Sequence, residues 1–190
     1  ITVVGILDAG QQFNMIALAV SNKEDEEFFY CLLQAVKDSL QLLELYPTFT
    51  CTMSDNSDAI QRALRRSFPS AVIGNCLFHL QQNIKKKRAL WNVQVPQTVP
   101  VNARSKWAAR RRDENESFAR DAVNWLSSLQ HVHEFNLCSE IFLSYLESQG
   151  DIQFASILRR EYFADGKKGW ARSMMSKGSA STNNSLEAFN

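Results

Sequence analysis

The sequence is poor in the residues that break regular structure and in those that cross-link a chain. It has 7 Gly and 4 Pro in 190 residues, which excludes low-complexity and collagen-like proteins. Its 4 Cys are widely separated and form no C-x-x-C pair, so a disulfide scaffold is excluded and a reducing compartment is expected. No apolar run approaches the roughly 18 residues that a membrane-spanning helix needs. We therefore predict no membrane segment.

Neither sign of charge is in clear excess. Lys and Arg number 21 against 20 for Asp and Glu, which leaves a formal net charge of +1. No field over the whole surface directs such a chain to nucleic acid or to a membrane, so any contact of that kind must come from a local cluster. The hydrophobic share of 45% is that of a folded globular protein.

The first 92 residues show the pattern of an α/β fold, in which strands alternate with helices. Apolar runs, bounded by turn-forming residues, predict strands over residues 3–7, 13–20, 49–53 and 71–74. The first two are joined by a short Gly-containing link, which is typical of an antiparallel hairpin. Helical spacing of apolar residues follows the second, third and fourth strands, and Pro47 ends the first of these helices.

The second half of the sequence is helical from about residue 104 to residue 163. We therefore divide the chain into an α/β core at residues 1–92, an all-α insertion at residues 93–165, and a loop with the start of a last core helix at residues 166–190. The chain begins inside a strand-like run and stops without a helix-ending signal, so we expect a fragment cut through two structural elements.

Asp55 is the first candidate for chemistry. It comes directly after the third predicted strand and just before a helix, which is the edge of an α/β sheet where ligands gather. Glu187 lies in the first turn of the last predicted helix. Each residue also has a plain structural interpretation, because Asp55 or Ser57 could cap a helix and an acidic residue in a first turn is favoured by the helix dipole.

Cys76 and His79 form a C-x-x-H pair, which is half of a zinc site. A complete site needs a second spaced pair, and His131 and His133 lie far away in sequence. A buried cysteine beside a hydrogen-bonded core histidine is the commoner arrangement.

One basic concentration stands out in the near-neutral chain. It consists of Lys85, Lys86, Lys87 and Arg88 and continues after residue 103 into further Arg and Lys residues, with Trp91 and Trp107 between them. Such a cluster can contact phosphates, act as a nuclear-import signal, or be a solvated face.

Taken in order, these pieces resemble the Mutator-like (MULE) transposase domain of the DDE transposase superfamily. The motifs that carry the resemblance are the Ser54-Asp55 turn before a helix that ends in Phe68-Pro69, the Cys76-x-x-His79 helix, and Thr182-Asn183-Asn184-x-x-Glu187. In combination they are far more specific than any one of them.

The resemblance implies a ribonuclease H-like core with a helical insertion before the last catalytic residue. It also implies a nuclear DNA transposase, in which three carboxylates and Mg²⁺ or Mn²⁺ cut transposon ends and join them to target DNA. Asp55 matches the second carboxylate and Glu187 the third. Cys76 and His79 match the C-x-x-H pair of the family, for which we expect a role in local architecture. A homo-oligomer is possible.

The first carboxylate is the point where the sequence departs from the family. It belongs on a strand that precedes the hairpin, and only two strands are found before the first helix, so the core is expected to be incomplete and inactive alone. Asp8 lies in the hairpin turn, for which turn chemistry is the simpler explanation. The alternative is a domesticated transposase derivative that has no catalytic activity and acts as a DNA-binding or regulatory protein. A fold can be kept after its catalytic activity is lost.

Overall fold

The computed structural model describes residues 1–7 and 13–175. They form two structural units, of which the first is built on residues 1–78 and the second on residues 79–174. Elements of the first unit are β1 (Thr2–Leu7), β2 (Phe13–Ala19), α1 (Glu26–Leu42), β3 (Cys51–Ser54), α2 (Asp58–Ser67) and β4 (Val72–Asn75). This confirms the predicted alternation of strands and helices and the α/β class.

The strands of the first unit form two separate two-stranded sheets. β1 and β2 are antiparallel, with Thr2 opposite Ala19 and Leu7 opposite Phe13, as the hairpin prediction requires. β3 and β4 are parallel and are connected by α2, so that their carboxyl ends lie side by side. The last pair in that register is Ser54 opposite Asn75.

Two predicted boundaries move by two residues or more. The third strand begins at Cys51 rather than at residue 49, and the ring of Phe49, before the strand, packs against Phe68 at 4.8 Å between centroids. Helix α1 ends at Leu42, well before Pro47, because Glu44 adopts a left-handed conformation with φ of 57°.

The end of α1 is closed by two backbone hydrogen bonds that run back into its last turn. The N–H of Glu44 donates to the carbonyl of Gln41 at 2.9 Å, and the N–H of Leu45 donates to that of Leu40 at 2.9 Å. This is the Schellman pattern, which normally places glycine at the left-handed position. The proline is therefore not needed to stop the helix.

Helices α1 and α2 pack against each other to form the apolar core of the first unit, which contains Phe29, Leu33, Ala63 and Leu64. Two ion pairs border this core, Arg62 with Glu26 at 2.7 Å and Arg66 with Glu27 at 2.9 Å. At the other end of α1, Asp25 accepts a hydrogen bond from the N–H of Phe28 at 2.9 Å and so caps the helix.

Helix α3 (Leu77–Lys86) begins at the end of the first unit and continues into the second. The second unit then contains α4 (Arg104–Ser128), α5 (Val132–Ser148) and α6 (Ile152–Leu158), with a π-helical turn at Arg159–Phe163. These elements confirm the helical pattern predicted for residues 104–163. The division into core and insertion at residues 92 and 165 stays a prediction. Within the described ranges, no helix is long and apolar enough to cross a bilayer.

Aromatic side chains dominate the core of the second unit. Trp170 lies edge-on to Phe135 and Phe163, with ring centroids 5.3 and 5.2 Å away, and its indole N–H donates to the carbonyl of Tyr162 at 2.8 Å. Trp91 is 3% exposed and packs on Phe154 at 4.2 Å. The second unit thus buries an apolar core of its own.

Candidate active site at the end of strand β3

Asp55 directly follows β3 and is exposed. One of its carboxylate oxygens accepts a hydrogen bond from the N–H of Ser57 at 3.0 Å. Ser57 is the N-cap residue of α2, and its own side chain makes no capping bond. Asp55 therefore closes the turn before the helix rather than capping the amides of the first helical turn. Its second carboxylate oxygen has no hydrogen-bond or ion-pair partner in the part of the chain that the structure describes.

A buried amide network lies behind this turn. Gln61 of α2 is fully buried, and its side-chain NH₂ donates to the side-chain oxygens of Asn56, at 3.1 Å, and of Asn75. Its carbonyl oxygen accepts from the guanidinium of Arg65 at 3.4 Å. Asn75 is itself 1% exposed and ends β4. Sequence reasoning missed Gln61 and Asn75, although a polar residue at the end of the apolar run 71–74 was a visible signal.

The backbone of Cys76 is hydrogen-bonded to the residue before Asp55. Its N–H donates to the carbonyl of Ser54 at 2.8 Å, and its side chain is 2% exposed. His79 is on the first turn of α3 and is partly buried. Among residues 1–7 and 13–175 there is no group of three or more His, Cys, Asp or Glu that could hold a metal ion. The architectural role expected for the C-x-x-H pair stays a prediction.

The other predicted carboxylate, Glu187, lies outside the described residues, as do Asp8 and the Thr182–Asn184 part of the last motif. The convergence of Asp55 and Glu187 is therefore a prediction. His131 and His133, weighed above as distant zinc ligands, are exposed at the start of α5.

The basic cluster at the end of α3 has two kinds of cation. Lys85 and Lys86 are exposed and have no ion-pair partner among the residues described. Lys87 lies 3.6 Å from the carboxylate of Glu161. Arg88 lies 2.7 Å from that of Asp113 and also donates to a backbone carbonyl of α4. Half of the cluster is thus neutralised inside the second unit, and half presents charge to solvent.

The first half of α4 also contains both paired cations and exposed cations without an ion-pair partner in the described ranges. Arg110 and Arg111 both donate to Glu114, at 3.0 and 3.1 Å, and these hydrogen bonds hold the pKa of that carboxyl below its ordinary value. Lys106 is exposed, with no ion-pair partner in the described ranges. Trp91, considered above as a base-stacking residue, is in the core instead, because its ring fills the space beside Phe154.

Comparison with known protein families gives a match that covers the first unit and the start of the second. Residues 1–83 match the family model of the MULE transposase domain. This segment is similar to the MULE transposase domain. No curated protein and no solved structure gives a significant match.

The MULE segment contains both sheets, α1, α2 and most of α3. Asp55, Cys76 and His79 lie inside it, so the resemblance inferred from their motifs is confirmed in that part of the chain. Lys85, Lys86, helices α4 to α6 and Glu187 lie beyond it. What is assigned to those residues is part of the proposal below.

Proposed function

We propose that this chain belongs to a DNA transposase domain that, when complete, cuts and joins DNA strands with divalent metal ions held by Asp55 and Glu187 together with a first carboxylate on one further strand. The observation that carries the proposal is the exposed carboxylate of Asp55 at the carboxyl end of a parallel strand pair, inside a segment that matches the MULE transposase domain. Such an edge is where α/β proteins place catalytic groups.

The chemistry of Asp55 suits Mg²⁺ or Mn²⁺. Its carboxylate is a hard oxygen ligand, and one of its oxygens is uncommitted among the described residues while the other is held by the N–H of Ser57. Glu187 is the proposed second ligand. Bound ions of this kind activate water or a 3′-hydroxyl and stabilise the leaving oxygen during attack on phosphorus. The contribution of Asp55 is to hold an ion at a fixed point beside β3.

For the fold we propose an incomplete ribonuclease H-like core. β1 and β3 each pair with a single strand of the described chain, so one more strand between them would join the two sheets into one five-stranded mixed sheet. In a protein that carries this strand, it would pair with the edge of β1 that faces away from β2 and with the edge of β3 that faces away from β4. The backbone amides on both of these edges should then exchange slowly with solvent. Fast exchange on either edge would contradict this arrangement.

DNA is the proposed partner, and its phosphates are the proposed ligands of Lys85, Lys86 and Lys106. All three are exposed and have no ion-pair partner within the described ranges. Ammonium groups of this kind contact the backbone without reading sequence. A DNA substrate also requires the nucleus in a eukaryotic cell, which is the compartment that we propose.

Binding of Mn²⁺ to the full chain tests the metal assignment. We expect Asp55→Asn to weaken binding at least tenfold, because it removes a charged ligand, and Asp58→Asn to leave it within twofold. Asp58 is a matched control, since it is an exposed carboxylate three residues away in the first turn of α2. Equal affinity of the protein and Asp55→Asn would contradict the assignment and favour a DNA-binding regulator without catalysis.

A further inference from the structure

We infer that Gln61 is a positioning residue for Asp55, which holds the turn at residues 55–57 in the conformation that directs the carboxylate to a metal ion. The inference rests on the function proposed above. It concerns a residue that touches neither the metal nor the DNA and acts only through Asn56 and Asn75.

The first step of the argument is burial. Gln61 is 0% exposed and lies on the same face of α2 as Leu64, three residues later, which is also buried. A primary amide in such a place costs free energy unless both of its ends are hydrogen-bonded. Both ends are bonded here, to Asn56 and Asn75 through the NH₂ group and to Arg65 through the carbonyl oxygen.

The second step is the location of the partners. Asn75 ends β4 and stands opposite Ser54, the residue before Asp55. Asn56 is the residue after Asp55. Gln61 therefore connects the end of β4 to Asn56, on the C-terminal side of Asp55. On the N-terminal side, the N–H of Cys76 donates to the carbonyl of Ser54.

The third step links the turn to the carboxylate. The N–H of Ser57 donates to one oxygen of Asp55 at 3.0 Å, so the direction of the carboxylate follows the conformation of residues 55–57. A group that hydrogen-bonds to a metal ligand and orients it typically accounts for about 10- to 100-fold in metal affinity. The N–H of Ser57 is that group here, and Gln61 holds the turn that carries it through Asn56.

The variants separate positioning from general stability. Gln61→Met keeps the length of the side chain and removes its hydrogen bonds. Asn56→Ala removes the hydrogen bond between Gln61 and the turn and keeps those of Gln61 to Asn75 and Arg65. The control is Gln34→Met, the same chemical change at a half-buried residue whose NH₂ group donates to Ser67. Ser67 is the last residue of the 10-residue α2, about 15 Å along the helix from the Asp55 end.

Two measurements on the full chain, at a temperature where every variant is folded, test the inference. The first is the NMR order parameter of the amides of residues 55–57, which we expect to fall from about 0.85 to below about 0.6 in Gln61→Met and Asn56→Ala and to stay high in Gln34→Met. The second is Mn²⁺ affinity, which we expect to fall about tenfold in the first two variants only.

The outcomes are distinct. Order parameters that stay high in Gln61→Met, or a Gln34→Met variant that loosens the same turn equally, would overturn the positioning role. A rigid-to-flexible change without any effect on Mn²⁺ affinity would also overturn it, provided that Asp55→Asn weakens Mn²⁺ binding at least tenfold. If Asp55→Asn does not affect Mn²⁺ binding, the proposed function itself fails, and the claim that Gln61 positions a metal ligand fails with it.

Discussion

The backbone N–H of Cys76 donates a hydrogen bond of 2.8 Å to the carbonyl oxygen of Ser54. This contact joins the residue before α3 to the residue before Asp55, so the C-x-x-H pair begins at the edge where the candidate catalytic carboxylate lies. Because the bond uses the backbone of Cys76, the contact does not require a metal ion on its thiol.

The first prediction concerns zinc. We expect the purified protein to contain no stoichiometric zinc and Cys76→Ala to leave the Mn²⁺ affinity within threefold. The variant should lower the free energy of unfolding by about 1 kcal/mol, the typical effect of a point substitution. Elemental analysis and urea unfolding measure these effects. One zinc per chain that disappears in Cys76→Ser would contradict the architectural role.

The second prediction concerns the end of α1. Glu44 has φ of 57°, a left-handed conformation that costs an L-residue with a side chain about 1–2 kcal/mol and costs glycine little. We expect Glu44→Gly to raise the free energy of unfolding of the first unit by about 0.5–1 kcal/mol. Gln41→Gly is the control, because it places glycine inside the same helix and should destabilise by about 1 kcal/mol. Destabilisation by Glu44→Gly would refute the explanation of the helix end.

Most of the first unit could be predicted from sequence because its elements follow local rules. Apolar runs bounded by turn residues identified β1 and β2, helical spacing identified α1 and α2, and the order of these elements is that of the structure. The end of α1 was misplaced because proline is the stronger signal in a sequence, whereas the chain here stops the helix through a left-handed Glu44.

Long-range polar contacts could not be predicted in the same way. Nothing local to Gln61 shows that Asn75, 14 positions later, accepts its hydrogen bond. Likewise, Lys87 and Arg88 look as exposed as Lys85 in the sequence, because their partners Glu161 and Asp113 are supplied by distant segments. Side-chain pairing of this kind depends on the tertiary structure.

The third prediction concerns DNA binding. It compares the exposed Lys85 and Lys86 with Lys87 and Arg88, which have carboxylate partners. Each phosphate contact contributes about 0.9 to the slope of log affinity against log salt concentration. Changing Lys85 and Lys86 together to Ala should therefore reduce the slope by up to about two units. Changing Lys87 and Arg88 should alter it less, since both cations have carboxylate partners at 3.6 and 2.7 Å.

Titration with duplex DNA at several salt concentrations measures these slopes. The double variant at Lys87 and Arg88 is the matched control, because it removes the same number of charges. An unchanged slope in the Lys85 and Lys86 variant would remove this end of α3 from the DNA path and leave nuclear import or a solvated face as the explanation of the cluster.

The fourth prediction concerns the pH dependence of the second unit. Asp151 is 3% exposed, and burial raises the pKa of its carboxyl above the ordinary 3.8, although the N–H of Asn92 donates to it at 2.7 Å. The folded state therefore holds this proton more tightly than the unfolded state. The stability that the proton confers is present in full below pH 3.8 and is lost as the pH rises through the higher folded pKa.

We therefore expect the free energy of unfolding of the protein to fall relative to that of Asp151→Asn as the pH rises from 4 to 7. The amide keeps an oxygen that accepts from Asn92 and has no charge to bury. Asp121→Asn is the control, because Asp121 is exposed on α4. Urea unfolding at several pH values measures the difference, and a difference that does not vary with pH would contradict the effect of burial.

Paramagnetic line broadening by Mn²⁺ tests the central claim, that one metal site joins Asp55 to Glu187 across 132 positions of sequence. Two-metal sites hold ions roughly 3.5–4 Å apart, so both carboxylates should lie within about 8 Å of each other. We predict that substoichiometric Mn²⁺ broadens the amide signals of Asn56, Ser57 and Glu187 first, and that Asp55→Asn removes the broadening at all three. Broadening at Asn56 and Ser57 alone, with an unchanged signal for Glu187, would contradict the shared site.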